Sequence, residues 1–256
     1  MDFLTTKGTK NFRALSCVFV VKKMLHSFHQ LGLIIAAGGS SSRFGEGNKL
    51  FQMLDGLPVF CHCLKNFLGG GTPDACLLVA PANSLEKFLL LLDQHLPFLT
   101  GQVRIIPGGE TRMASVLAGL NALPQSCHFV AVQDAARPLS SAALLQRCLD
   151  SARQTGSGVA AHRMTDTIKQ ATTDGKVLKT LDRNALWATE TPQVFQRELL
   201  LKAYQHCQNS QKNFTDDAQL LEETGIPVQL VENPQPNPKI TFPEDLTALQ
   251  PLACSR

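Results

Sequence analysis

Strand-length apolar stretches and helix-length amphipathic ones take turns along this chain from Leu31 onward, and that alternation restricts the fold more than any other feature. Leu31 to Ile35 is apolar apart from Gly32, the pattern of a strand buried on both faces. A helix is expected from Leu57 to Leu68, begun near Pro58 and stopped by Gly69, Gly70 and Gly71. A strand from Ala75 to Ala80 follows, then a helix from Ser84 to Gln94 and a strand from Gln102 to Ile106. Arg112 to Leu123, His128 to Gln133, Ala142 to Gln154 and Gly158 to His162 continue as helix, strand, helix and strand. Repeated βαβ units predict an α/β fold with a mostly parallel sheet, helices on both faces and ligands gathered at the carboxyl ends of the strands.

The loop after the first strand reads AGGSSSRFGEGNKLF, Ala37 to Phe51. Gly38, Gly39 and three serines let backbone amides approach a ligand closely, and Arg43 and Lys49 add two positive charges, so the stretch reads as a phosphate loop. It is neither a Walker loop, which needs Gly-Lys before Ser or Thr, nor the G-x-G-x-x-G dinucleotide fingerprint, and a dehydrogenase reading falls with the latter. Three further loops leave strand ends: PGGETRMAS, QDAARP and HRMTDTIK. In the second, Asp134 closes an apolar strand and is followed by Ala135, Ala136, Arg137 and Pro138. Beside a triphosphate loop its carboxylate is suited to hold a divalent cation together with phosphate oxygens.

From Arg163 to Glu190 the alternation breaks. Short strands at Thr167 to Lys169 and Val177 to Leu181, joined through Asp174 and Gly175, suggest a projecting β-arm at about residues 163–190, of the kind that packs on a second copy in a homodimer. Helices are expected at Glu198 to Gln208 and at Asp216 to Thr224, the latter capped by Thr215. Strands are expected at Val228 to Glu232 and Lys239 to Phe242, with Pro243 opening the last helix.

With 256 residues, 44% of them apolar, the chain can bury one large core, and residues 31–250 read as a single domain. Eight cysteines at irregular spacings and no secretory signal point to reduced thiols in a cytoplasmic setting. Cys61 and Cys63 flank His62 without a second ligand pair and read as packed thiols. Of the 24 Lys and Arg, five lie in residues 1–30, which hold only one of the 21 acidic side chains; the rest of the chain is therefore close to neutral and offers no basic face for nucleic acid. Residues 1–30 are expected to lie outside the fold, as an N-terminal extension ahead of a true start at Met24 or as a transit peptide. The apolar run Ala14 to Val21 is too short to span a bilayer.

The motifs AGGSSSRFG with NKL, GGETRMASVLAGL, DAARP, DTIK, LDRNALW, ETPQVF, TDDA and KITFPEDL stand in an order that resembles the 2-C-methyl-D-erythritol 4-phosphate cytidylyltransferase family, over about Leu31 to Leu249. The resemblance implies a Rossmann-like homodimer that transfers CMP from CTP to a polyol phosphate with magnesium, releasing pyrophosphate. Position by position, it implies that Arg43 and Lys49 stabilise the transition state and that Arg183 and Lys239 align the acceptor. Asp134 would be the magnesium ligand. Ala37, Gly38, Gly39, Gly109, Glu110, Ser115 and Ala135 would hold the nucleotide; Arg137, Thr167 and Thr191, with Arg183 and Lys239, the acceptor phosphate, some of them from the partner's arm. The chain departs from the family pattern at Asn48, where proline is frequent, and at Glu110, where aspartate is. A ribitol 5-phosphate cytidylyltransferase uses much the same motifs, and a catalytically silent nucleotide-binding protein of this fold is a further alternative.

The chemistry agrees with the residue types. A phosphate monoester has a second pKa of about 6, so its oxygen is already anionic near neutrality and needs no general base. The task left to the protein is to bring two like-charged substrates together in line and to steady the charge moving onto pyrophosphate.

Overall fold

A computed structural model describes residues 26–38, 44–45, 47–208, 210 and 212–254. In chain order, β1 (Leu31–Ala36) precedes a small hairpin of β2 (Met53–Leu54) and β3 (Leu57–Pro58), then α1 (Val59–Leu68), β4 (Ala75–Ala80), α2 (Leu85–His95) and β5 (Arg104–Pro107). Next come α3 (Arg112–Ala122), β6 (Phe129–Asp134), α4 (Ala142–Thr155) and β7 (Ser157–Arg163). A second hairpin, β8 (Lys169–Ala171) and β9 (Val177–Thr180), leads to β10 (Trp187–Gln196), α5 (Arg197–Cys207), α6 (Asp217–Glu223), β11 (Leu230–Glu232) and α7 (Pro243–Cys254).

Seven strands form one sheet in the order β11-β7-β10-β6-β1-β4-β5. Neighbours are parallel except around β10, which runs antiparallel between β6 and β7. The period of two along β1 divides the core: Leu33 and Ile35 pack with Phe60 and Phe67 of α1 and Leu145 of α4, while Ile34 packs with Val116 and Leu120 of α3 and Leu200 of α5. Helices therefore cover both faces, as the alternation predicts.

Four readings from the sequence are corrected. The arm drawn to about residue 190 ends earlier, because Trp187–Gln196 is a central strand, β10, which accommodates Pro192 where its register shifts between Thr189 and Gln193. Lys239 to Phe242 is not a strand: Ile240 N–H donates to the Ala136 carbonyl at 2.9 Å, and the N–H groups of Thr241 and Phe242 donate to the Asp245 carboxylate at 2.7 and 2.8 Å, so side-chain capping replaces ladder pairing. Asp216, not Thr215, caps α6, its Oδ1 accepting from Gln219 N–H at 3.0 Å. The boundary drawn at residue 30 also falls too late: Phe28 is 1% exposed in the main core, and His26 N–H donates to the Gly70 carbonyl at 2.7 Å. Residues 1–25, with Met24, lie outside the described residues.

Candidate active site

Parallel register brings the carboxyl ends of β1, β4 and β6 level, with Ala36 opposite both Val79 and Asp134. Backbone bonds then carry the alignment into the loops: Ala37 N–H to the Val79 carbonyl at 2.8 Å, Gly108 N–H to Ala80 at 2.8 Å and Ala135 N–H to Ala36 at 3.0 Å. The loops that begin at Ala37, Gly108 and Ala135 thus leave the sheet side by side, as expected at the strand ends of an open α/β sheet.

Ser115 joins two of them. Thr111 Oγ1 accepts from Ala114 N–H at 3.0 Å and starts α3, which buries Ser115 one turn in, where its hydroxyl donates to the Gly109 carbonyl at 3.2 Å. A β-carbon on Gly38 would lie 3.2 Å from Ser115 Oγ, and one on Gly108 only 2.6 Å away. Close approach, not turn geometry, calls for glycine at 108, and it leaves little room at Gly38. Ala37, Gly38, Gly109, Ser115 and Ala135 are gathered at this corner, and Glu110 stands exposed at its rim. Gly39 and Arg43 lie outside the described residues.

Asp134 is the centre of charge. Lys239 Nζ lies 2.7 Å from Oδ2, Arg137 Nε 3.8 Å from Oδ2 and Arg112 Nε 3.6 Å from Oδ1. Burial alone would raise this carboxyl, but the Lys239, Arg112 and Arg137 cations outweigh it and hold it at about 2. Arg112 also pairs with buried Asp217 through Nη1 at 2.8 Å, and Tyr204 donates its hydroxyl to Asp217 at 2.7 Å. Burial pulls the Arg112 guanidinium down; Asp217 and Asp134 more than compensate and raise it. Burial lowers Arg137, against the pull of Asp134 and Glu190.

Arg112 belongs to this charge cluster although the reading of the sequence did not single it out. The signal was present: a cation in the first turn of a helix opposes the macrodipole, and α3 has no acidic residue there to offset it. A residue kept where local electrostatics disfavour it has partners elsewhere, here Asp134 and Asp217.

Lys49 and Lys239, 190 residues apart in sequence, meet at one segment. Lys49 Nζ donates to the Ile240 carbonyl at 2.7 Å, next to the residue that reaches Asp134. Thr191 Oγ1 accepts from Asp134 N–H at 3.0 Å, so it stands beside the carboxylate on the neighbouring strand. Thr167 and Arg183 do not join this constellation: both are exposed at the root of the β8–β9 arm, where Arg183 Nη1 donates to the Thr165 carbonyl at 2.7 Å.

A profile of the family described as "IspD: 2-C-methyl-D-erythritol 4-phosphate cytidylyltransferase" matches residues 31–252. The chain belongs to that cytidylyltransferase family. A relative from Dehalococcoides mccartyi (strain ATCC BAA-2266 / KCTC 15142 / 195) named 2-C-methyl-D-erythritol 4-phosphate cytidylyltransferase is 38% identical over 217 residues, 85% of this chain and 93% of its own length. The chain is also 38% identical over 216 residues to a bifunctional IspD/IspF enzyme from Desulfotalea psychrophila, and spans 54% of that longer protein. Among solved structures, the 4-diphosphocytidyl-2C-methyl-D-erythritol synthase of Anaerococcus prevotii superposes with a TM-score of 0.75 at 26% identity, covering 90% of this chain and 100% of the other. The Thermus thermophilus cytidylyltransferase gives 0.70 at 28% identity with the same coverage. Membership makes the cytidylyltransferase a nucleotidyl-transferring enzyme, and the strand-end corner around Ser115 and Asp134 is its candidate active site.

Proposed function

We propose that this cytidylyltransferase transfers CMP from CTP to 2-C-methyl-D-erythritol 4-phosphate, giving 4-diphosphocytidyl-2-C-methyl-D-erythritol and pyrophosphate. The observation that carries the reading is the Lys239–Asp134 contact at 2.7 Å, in a cluster where Lys239, Arg112 and Arg137 surround Asp134 and Arg112 is shared with Asp217. With Lys49 on the Ile240 carbonyl beside Lys239, the cluster holds four cations against Asp134 and Asp217, a positive balance that suits two phosphorylated substrates. Ser115 with Gly38 and Gly109 forms the nucleotide half; Lys239, Arg137 and Thr191 form the acceptor half; Lys49 stands between them. Lys49 steadies the triphosphate as the bond to pyrophosphate breaks, and Lys239 holds the acceptor phosphate in line with the α-phosphorus.

Asp134 fits a magnesium ion. Among the described residues no group of three or more His, Cys, Asp or Glu side chains is gathered, so Asp134 would hold the ion with polyphosphate and water oxygens completing the shell. The ion, when bound, supplies charge neutralisation to the polyphosphate. Arg183 and Thr167 are assigned to the acceptor site of a partner copy. The exposed apolar pair Val177 and Leu178, 60% and 61% accessible on the arm, supports docking of that arm on a second subunit. Among the described residues no helix is long and apolar enough to cross a membrane. We place the reaction in the cytoplasm, which suits the unpaired thiols of Cys61, Cys63, Cys76, Cys127, Cys148 and Cys207.

Pyrophosphate release should require CTP, the methylerythritol phosphate and magnesium together. Asp134→Asn should fold normally and lose about 100-fold or more in rate, because the amide keeps an oxygen but not the charge. Release without the polyol phosphate, or near-normal turnover of the variant at limiting magnesium, would contradict the assignment.

A further inference from the structure

We infer that Glu190 is a positioning residue for the transfer, acting as the pin that holds the segment delivering Lys239; this rests on the acceptor-site reading of Lys239 given above. Glu190 lies on β10, one residue before Thr191, and is a carboxylate only 4% exposed. Its Oε2 accepts from Asn233 Nδ2 and from Asn237 Nδ2, both at 2.9 Å, and its Oε1 lies 2.7 Å from His162 Nδ1 on β7. The two asparagines bracket a strap, Asn233 to Pro238, that connects β11 to Lys239 and forms one wall of an open groove of 570 Å³.

The strap needs such a pin. Pro234, Pro236 and Pro238 have no N–H to give, so half of its six residues cannot anchor it through a backbone donor. Buried side-chain amides take over: Asn237 donates to the Thr191 carbonyl as well at 2.9 Å, and its Oδ1 accepts from Ser140 Oγ at 2.8 Å. The strap in turn fixes three elements of the active site. The Asn237 carbonyl accepts from Arg137 Nη1 at 2.7 Å, Lys239 reaches Asp134, and the Ile240 carbonyl receives Lys49. A single buried carboxylate on the strand that carries Thr191 therefore sets the position of cations on both sides of Asp134, although nothing requires it to touch a substrate.

The hydrogen-bond pattern provides a test that separates positioning from charge. In Glu190→Gln the amide oxygen can accept from both asparagines while the amide nitrogen donates to His162 Nδ1, so all three links survive without the negative charge. Glu190→Ala breaks all three. With CTP and the methylerythritol phosphate varied separately, Glu190→Ala should lower kcat/KM for the acceptor on the order of 10-fold to 100-fold, with the KM for CTP little changed. Glu190→Gln should recover most of that loss. Should Glu190→Ala fail to fold, Asn233→Ala removes one of the two strap bonds to Glu190, together with the 3.3 Å bond that Asn233 Oδ1 accepts from Gln235 N–H, leaves the Asn237 bonds, and should show the same acceptor-side loss in smaller degree. Loss in Glu190→Gln as deep as in Glu190→Ala would mean that the charge itself is used, and unchanged acceptor kinetics in Glu190→Ala or Asn233→Ala would mean that the strap is held without it; either overturns the inference. Lys239→Ala measured alongside keeps the two levels apart: if that variant leaves acceptor kinetics unchanged, the reading of Lys239 fails, whereas a loss there with none in Glu190→Ala removes only the pin.

Discussion

Lys49 and Arg183 carry the same charge yet occupy different surroundings, and the account gives them different tasks. Lys49 is anchored on the Ile240 carbonyl beside Lys239, so on the proposed division of the site Lys49→Ala should slow the chemical step, by about 2–4 kcal/mol of transition-state stabilisation or roughly 30-fold to 1,000-fold. Arg183 stands on the exposed arm root, so Arg183→Ala should chiefly raise the concentration of acceptor needed and spare CTP binding. Initial rates with each substrate varied in turn would show this; a CTP defect in Arg183→Ala with normal acceptor kinetics would end the division into halves. Residue chemistry of this kind was partly legible in the sequence. Asp134 could be named because a carboxylate that closes a strand beside a phosphate loop suits a divalent cation, whereas Arg137, Ser115 and Lys239 could be named only through the resemblance of their motifs to the family. Arg112 was not named, because its partners Asp134 and Asp217 come from distant elements and only the cost of a cation at a helix N-terminus marks it.

Elements with a clean hydrophobic period could be read from sequence to within a residue or two: α3 and α4 begin at the expected residues, and β1 and β4 emerge as buried strands. The strand β10 could not, since its polar residues Glu190, Thr191 and Gln193 are buried to bond neighbours, and a pattern of buried polar groups looks like a loop. Its side chains are part of the active site's frame, so the local rule fails where function sits. The glycine corner is a second case. Gly108→Ala would bring a β-carbon to 2.6 Å from Ser115 Oγ and 3.1 Å from Val79 Cγ1, displacing the hydroxyl from its place between the two loops. The expected result is a folded protein whose requirement for CTP rises about 10-fold or more while acceptor affinity holds, measured by nucleotide titration. Unchanged CTP affinity would remove Ser115 from the nucleotide half.

At the scale of the whole molecule, one chain supplies the nucleotide corner, Asp134 and the lysines, while its arm holds Thr167 and Arg183 away from them. A single sequence cannot reveal which copy an arm serves; only its broken alternation and exposed Val177 and Leu178 point outward. If the arm completes a partner's active site, mixing Asp134→Asn subunits with Arg183→Ala subunits should restore activity. Random pairing gives one intact composite site in half of the dimers, hence about a quarter of full activity, measured at an acceptor concentration low enough that the Arg183→Ala preparation alone, like Asp134→Asn, turns over little. No recovery after exchange of subunits would place Arg183 in its own chain's service or outside the reaction. The identity of the transfer is tested by kcat/KM with CTP for 2-C-methyl-D-erythritol 4-phosphate beside ribitol 5-phosphate under identical conditions. Cytidylyl transfer to the methylerythritol phosphate should be efficient and transfer to ribitol 5-phosphate at least about 100-fold less so; equal or greater efficiency with ribitol 5-phosphate would refute the proposed acceptor.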